Sequence, residues 1–331
     1  MNFRSKRGIG MKNYILRRVL IIIPELLGMA LLSFVLLNLL GDPFAELRMN
    51  PFISAADITH LQHMYGFDRP VLIRFFLWIG AVLRGNLGIS VVSGESVLTI
   101  IGRALPVTLS LALVAFALSV VIGVLIGYYS GVHQYSMLDH FTTGFSYFGI
   151  AMPSFWFSLM LMILFSVKLP LFPPGGYGTP GMDSAPFIAR FVDKLHYIVL
   201  PTLVITVGNL AGWARYTRSS ILEGLRKDYV RTARSKGLPE RQVLWRHVFR
   251  NAINPLVTLF FMSLPGLFSG SAVTESIFAI PGMGRMTIDA VLNNDYMVAM
   301  GCLMMYALLL LGSLFIGDLM YAVIDPRVKY S

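Results

Sequence analysis

Residues 228 to 255 read DYVRTARSKGLPERQVLWRHVFRNAINP, a polar stretch with six Lys or Arg between long apolar runs. Residues 228 to 236 are predicted to form a short helix. Gly237 ends this helix, because glycine adopts the left-handed conformation needed there without a steric penalty. Pro239 suits the first turn of a second helix, where its missing N–H costs nothing. The stretch is therefore predicted to be a helical elbow.

The second arm of the elbow is amphipathic. Its apolar side consists of Leu244, Trp245, Val248, Phe249 and Ala252, and its polar side of Gln242, Arg246 and Arg250. Pro255 is predicted to open the next apolar segment. Such an elbow either lies on anionic lipid or docks on a soluble partner, and the sharp Gly-Leu-Pro turn favours docking.

The rest of the composition is that of an integral membrane protein. Of the 331 residues, 56% are hydrophobic and 13% are charged, and the mean hydropathy is +0.68. Apolar segments long enough to cross a hydrocarbon core of about 30 Å lie at 16–40, 106–130, 142–168, 197–214, 255–278 and 299–324. The predicted fold class is an all-α membrane protein with six transmembrane helices.

The net charge of +10 reflects the distribution of basic residues around these segments. If the N-terminus is inside, 18 Lys or Arg are cytoplasmic and nine are outside. The cytoplasmic residues are six up to Arg18, ten in 215–254 and two after 324. Cytoplasmic loops are enriched in Lys and Arg. Both termini and the elbow are therefore predicted to be cytoplasmic, and nucleic-acid binding is not needed to explain the charge.

The chain is predicted to divide into three regions. Residues 1–40 form the cytoplasmic N-terminus and first helix, 41–105 an extracytoplasmic segment, and 106–331 a five-helix core containing the cytoplasmic loop 215–254. Within the outer segment, Ser54 and Asp57 predict a capping box. The following run VLIRFFLWIGAVLRG is either a helix in the membrane interface or an extra buried helix.

The fifth apolar segment contains small, polar and helix-breaking residues that a lipid-facing helix does not need. They are Pro265, Gly266, Ser269, Gly270, Ser271, Thr274 and Glu275. These residues are typical of a helix beside a water-filled pathway or gate, and close packing through small residues is the alternative. We favour a pathway-facing helix.

The sequence lacks the motifs of a catalytic protein. It has no Gly-Lys dipeptide, so it lacks the phosphate-binding loop of an ATPase, and neither HExxH nor GxSxG occurs. The chain is predicted not to be an enzyme, and to bind neither a metal nor a cofactor. His60 and His63 share a helical face but lack a third ligand. Glu25, Glu275 and Asp318 are functional candidates at membrane depth, unless they are locally paired or reach the interface.

Several motifs resemble one family. DYVRTARSKG followed by RNAINP resembles the cytoplasmic EAA loop of permease subunits of ABC importers in the peptide/nickel branch, with Arg231 in place of the motif's Glu. YILRRVLIIIPELLGMALLSFVLLNLLGDP, YGFDRPVLIRFFLW, GNLGIS, GIAMPSFWFSLMLMILFSVKL, IPGMGR, NNDY and the final DPR resemble the first permease of dipeptide and oligopeptide importers. The resemblance covers nearly the whole chain.

The resemblance implies the ABC type I importer permease fold in a bacterial or archaeal plasma membrane. It implies a second homologous permease, two ATP-binding subunits that hold ATP and Mg, and an extracytoplasmic substrate-binding protein. Dipeptides or oligopeptides are the implied cargo, with nickel or a nickel chelate, glutathione or an oligosaccharide as alternatives. The implied ATPase-coupling residues are Arg231, Thr232, Ala233, Arg234, Ser235, Lys236, Gly237, Leu238, Pro239, Glu240 and Arg241.

Overall fold

The computed structural model describes residues 11–40, 44, 48, 51–64, 66–269 and 272–324. Within these ranges the chain is helical, and the only extended pairing is an isolated bridge between Ile89 and Ser96. This confirms the predicted all-α class. The α-helices are α1 Met11–Leu40, α2 Ala55–Met64, α3 Val71–Val82, α4 Val97–Val132, α5 Met137–Ala151, α6 Ser154–Met162, α7 Phe187–Leu225, α8 Asp228–Ser235, α9 Glu240–Gln242, α10 Arg250–Ser269, α11 Ala272–Ile277, α12 Met283–Leu292 and α13 Tyr296–Ile324.

The described ranges also contain three short elements of other geometry. A π-helix, Ile163–Lys168, follows α6, a 3₁₀ turn covers Met182–Ser184, and a second π-helix, Val243–Phe249, joins α9 to α10. Since a π-helix accommodates an extra residue in its turn, it shifts the face that the following residues present.

Four of the described helices are long and apolar enough to cross a membrane. They are Ile15–Leu39, Val97–Val132, Phe187–Leu225 and Tyr296–Met320. Helices α5 and α6 with the following π-helix make a fifth span if a bend of 103° is allowed. Met152 precedes Pro153 and is extended, because a residue before proline avoids the helical region. This explains the break between the two helices.

The remaining predicted segment, 255–278, is not among the helices that meet this test. It contains most of α10 and all of α11, and residues 270 and 271 between them lie outside the described residues. Helices α4 and α7 extend beyond the predicted limits 106–130 and 197–214, and α7 continues into more polar sequence at both ends. Hydropathy detects only the apolar middle of such helices. The count of six spans stays a prediction.

The chain forms two compact units, of which the first comprises Met1–Pro106 and Arg285–Ser331. Here α1 packs against α13, and Arg18 forms an ion pair with Asp318. Asp318 is therefore locally paired, whereas Glu25 is exposed.

The capping box predicted at Ser54 and Asp57 is confirmed. The Ser54 N–H donates to Asp57 at 3.0 Å and the Asp57 N–H donates to Ser54 Oγ at 3.2 Å.

The second unit, Val107–Gly284, is built on α4 and α7. Three glycines of α4 at every fourth position, Gly123, Gly127 and Gly131, face α7. A Cβ added at Gly127 would lie 2.4 Å from the carbonyl oxygen of Ala214, so only glycine permits this approach. Close packing of the two helices places the elbow and the polar clusters described below.

Candidate functional site

The elbow has the predicted course of helix, glycine turn and helix. Helix α8 ends at Ser235, and Gly237 has a φ of +73°. A Cβ at Gly237 would meet nothing within 4 Å, so the backbone conformation alone favours glycine there. Pro239 stands immediately before α9. Local sequence signals were sufficient to predict this turn.

A buried apolar cluster, called the elbow core, lies beneath the turn. It consists of Tyr128, Ile221, Val230, Ala233, Val243, Val248 and Ala252. Its members come from α4, α7, both arms of the elbow and the start of α10. Ile221, Val230, Val243 and Val248 are completely buried. The elbow is therefore fixed to the ends of two membrane helices by packing, rather than lying loosely on the surface.

The second arm differs from its predicted face. Val243, which an α-helical period excludes from the apolar side, is buried, and Trp245 is 47% exposed. The reason is the π-helix, whose five-residue spacing places Val243 and Val248 on the same side. Pro255, predicted to open the next apolar segment, lies inside α10, which begins at Arg250 and is continuous with the π-helix. The second arm and α10 are thus one uninterrupted helical rod.

Charged groups on the elbow lie outside this core. Arg234 spans the turn to Glu240, with Nε to Oε2 at 3.2 Å and Nη2 to Oε1 at 2.5 Å. The hydrogen bond to Glu240 raises the pKa of Arg234. Of the eleven residues implied by the resemblance, Ala233 and Leu238 contribute to or pack on the core. The other nine are exposed, namely Arg231, Thr232, Arg234, Ser235, Lys236, Gly237, Pro239, Glu240 and Arg241.

A polar cluster missed in the sequence lies beside the elbow core. Asp139, with a side chain only 3% exposed, accepts two hydrogen bonds from Arg218, at 2.6 Å from Nε and 2.9 Å from Nη2. Ser130 Oγ and the backbone N–H of Tyr135 also donate to Asp139. Arg218 lies one turn before Ile221 of the core on α7. This cluster ties the α4–α5 turn to α7, and with its neighbours it borders a cavity of about 220 Å³.

Among the predicted pathway residues, Glu275 occupies a fully enclosed position. It is 0% exposed and accepts a hydrogen bond of 2.8 Å from Thr108 Oγ1, which in turn accepts from the Met283 N–H at 2.8 Å. Cβ atoms added at Gly282 and Gly284 would lie 2.5 Å and 2.8 Å from Glu275 Oε2. The IPGMG turn therefore closes directly over the carboxylate, and Glu275 is locally paired.

The other pathway residues are divided between the interior and a cavity of about 320 Å³. Gly266 and Thr274 border this cavity together with Trp213 and Ser263. Pro265 is buried. Ser269 is the last residue of α10, and its side chain lies outside the described part of the structure. The same holds for the whole of Gly270 and Ser271. The cavity is bounded by residues of α4, α6, α7, α10 and α11.

The histidines considered as metal ligands have another contact. His63 Nδ1 lies 3.0 Å from Asp68, and both side chains are substantially exposed. In the described ranges, no group of three or more His, Cys, Asp or Glu could hold a metal ion.

Comparison with known proteins gives a consistent assignment. The model of the family described as "Binding-protein-dependent transport system inner membrane component" matches residues 119–330. The chain is 39% identical over 322 residues to the oligopeptide transport system permease protein AppB of Bacillus subtilis, covering 97% of this chain and 100% of that protein. It is 34% identical over 338 residues to the di/tripeptide transport system permease protein DppB of Pseudomonas aeruginosa, covering 97% and 99%. The similarity extends over almost the whole chain.

Proposed function

The chain belongs to the family of binding-protein-dependent transport system inner membrane components, and we propose that it is a permease subunit of an ATP-driven ABC importer of dipeptides or oligopeptides. The relatives named for oligopeptide and di/tripeptide transport support this cargo. No feature of the described residues favours nickel, a nickel chelate, glutathione or an oligosaccharide over a peptide.

The proposal includes an assembly around this chain in the plasma membrane. A second homologous permease completes the translocation path, two ATP-binding subunits hold ATP and Mg, and an extracytoplasmic binding protein delivers the cargo. The chain has six spans with both termini in the cytoplasm. The region 106–331 supplies the path, and residues 41–105 face outwards.

The observation that carries the proposal is the construction of the elbow. Most of its exposed residues are charged or polar and its buried residues are apolar, so a soluble subunit can bind the outer surface without disturbing the core. The second arm continues without interruption into α10, which borders the 320 Å³ cavity at Gly266. A rigid-body movement of a subunit docked on the elbow would therefore be transmitted to the cavity wall. Residues 231–241 are the proposed ATPase contact.

The coupling role is tested by exchanging charges at the turn. Arg234→Glu places two carboxylates opposite each other and reverses the charge offered to a partner. We expect it to weaken co-purification of the ATP-binding subunits about ten-fold or more, because opposed like charges at an interface cost several kcal/mol. Gly237→Trp is expected to act in the same direction. Arg84→Glu, an exposed change in the outer segment, is the control and should have no effect.

The double variant Arg234→Glu with Glu240→Arg separates recognition from stability. It restores an ion pair across the turn but leaves the charges transposed. Continued weak co-purification supports an ATPase contact at these residues, whereas full recovery would assign Arg234 to elbow stability alone. Unchanged co-purification of every variant would refute the coupling role. Peptide uptake measured with dipeptides and with nickel, in cells that carry the importer, tests the cargo separately.

A further inference from the structure

Helix α3 borders an apolar cavity of about 370 Å³ within the first compact unit. Phe34 of α1, Leu77 and Trp78 of α3, and Met297 of α13 contribute apolar surface to it. The outward side of α3 is also apolar, with Leu72 61% and Phe76 69% exposed, and Leu83 directly after the helix is 83% exposed. An exposed apolar face of this size on a short helix beside a membrane span is typical of a helix at the membrane interface. An apolar cavity therefore lies behind a helix whose outward side suits contact with lipid.

A cation borders this apolar cavity without a carboxylate partner. Arg74 lines the cavity, and its guanidinium carbon lies 3.8 Å from the centroid of Phe67 and 5.6 Å from that of Phe34. The aromatic faces stabilise the charge but do not neutralise it. Burial lowers the pKa of Arg74, and the nearby hydroxyl of Tyr296 offsets this effect only in part. Among the described residues no acidic side chain pairs with Arg74, so the cavity has an uncompensated positive charge.

Trp78, which lines the cavity, also carries an unused hydrogen-bond donor. Trp78 is 7% exposed, and its Nε1 has no hydrogen-bond acceptor within the described part of the chain. Buried donors without an acceptor are rare, and each calls for an explanation. Trp78 follows Arg74 by four residues, so both side chains project from the same face of α3. A cation and a free N–H therefore stand one helical turn apart beside an apolar space.

We propose that this cavity binds an anionic phospholipid, with an acyl chain in the apolar space and the phosphate at Arg74. A phosphate oxygen pairs with guanidinium through charge-assisted hydrogen bonds and can also accept from an indole N–H. A water-soluble anion would leave the apolar walls unfilled, whereas an uncharged lipid would leave Arg74 uncompensated. Because α3 lies in the segment predicted to be outside, the lipid comes from the outer leaflet. The inference does not depend on which cargo is transported.

The test uses the fluorescence of Trp78 in the full-length chain. The sequence has four tryptophans, and Trp156, Trp213 and Trp245 are replaced by Phe to leave Trp78 as the only emitter. The protein is reconstituted with a second permease whose tryptophans are likewise replaced by Phe, in phosphatidylcholine vesicles containing brominated phosphatidylglycerol or brominated phosphatidylcholine. We expect phosphatidylglycerol to quench Trp78 at about five-fold lower concentration, the effect of one basic side chain on an anionic lipid.

Matched variants assign the preference to Arg74. Arg74→Gln should abolish it, and Arg84→Gln, the exposed arginine after α3, should retain it. Equal quenching by the two lipids in the Arg74 protein would overturn the proposal. Absence of quenching in the permease pair, with quenching in the isolated chain, would also overturn it and would assign the cavity to the partner permease.

A second measurement does not require the tryptophan replacements. Native mass spectrometry of the otherwise unchanged chain should detect retained phosphatidylglycerol. Trp78→Phe keeps the ring but removes the N–H, and we expect about two- to ten-fold less retained lipid, as for one lost hydrogen bond. Excess inorganic phosphate should not displace the lipid. Displacement by phosphate, or equal retention by the Arg74→Gln variant, would refute the phospholipid site.

Discussion

The elbow and the Glu275 cluster both lie in the second compact unit, but the first exposes its ionisable side chains and the second buries one. The elbow buries apolar side chains and keeps Arg234 and Glu240 about half exposed. The other cluster buries a carboxylate completely and covers it with the backbone of Gly282 and Gly284. Charges on the elbow can therefore change partners at little cost to the fold, whereas the surroundings of Glu275 tolerate almost no change. The first arrangement suits recognition and the second suits a fixed structural joint.

The largest effect should come from adding one methyl group to the cover of Glu275. In Gly282→Ala the new Cβ would lie 2.5 Å from Glu275 Oε2 and 2.6 Å from Thr108 Oγ1. We expect a destabilisation of about 3 kcal/mol, because overpacking here also displaces a buried carboxylate from its donor. Thermal unfolding of the purified chain in detergent measures this loss of stability. Gly212→Ala, where a Cβ meets nothing within 4 Å, is the control, and equal melting temperatures would contradict the fixed joint.

An intermediate effect is expected at the ion pair beside the elbow core. Asp139→Asn removes the charge that accepts two hydrogen bonds from Arg218 and leaves that guanidinium uncompensated at the α4–α5 turn. The expected loss is about 2 kcal/mol, within the range of hydrogen bonds to charged groups. Asp289→Asn, which breaks an exposed pair with Arg285, should change stability by less than about 0.5 kcal/mol. If the Asp139→Asn and Asp289→Asn variants have the same melting temperature, the Asp139 cluster does not stabilise the turn.

The smallest effect should be that of Gly237→Ala on the elbow itself. The substitution meets no neighbouring atom, so its cost is only the left-handed backbone at a φ of +73°, about 1 kcal/mol. Thermal unfolding should shift slightly, while insertion into the membrane is unchanged. Gly144→Ala, inside α5 with open space around it, serves as the control and should be neutral or stabilising. A loss as large as that of Gly282→Ala would remove the contrast between the two regions.

Features encoded by neighbouring residues could be predicted from the sequence. The elbow turn follows from Gly237 and Pro239, and the start of α2 follows from Ser54 and Asp57, since each signal acts over a few residues. Four long apolar helices follow from composition. The glycine repeat of α4 could also have been recognised, because glycines four residues apart in an apolar segment indicate close helix packing.

Features that depend on distant parts of the chain could not be predicted in this way. Asp139 and Arg218 are 79 residues apart in sequence, and Thr108 and Glu275 are 167 apart. The packing of α5 against α7 brings the first pair together. Val243 was missed for a different reason, because the π-helix changes the spacing from which its burial would be inferred. In apolar helices, moreover, hydrophobicity alone does not distinguish lipid-facing from protein-facing sides.

The π-helix Val243–Phe249 also sets a rotational phase along the rod that contains it. Each residue of an α-helix turns the chain by about 100°, so deleting one residue between 243 and 249 would rotate everything beyond it by nearly a third of a circle. Gly266 would then turn away from the cavity it borders, although the elbow surface would keep its composition. The angle between the docking surface and the cavity wall therefore depends on how many residues separate them, rather than on which residues these are.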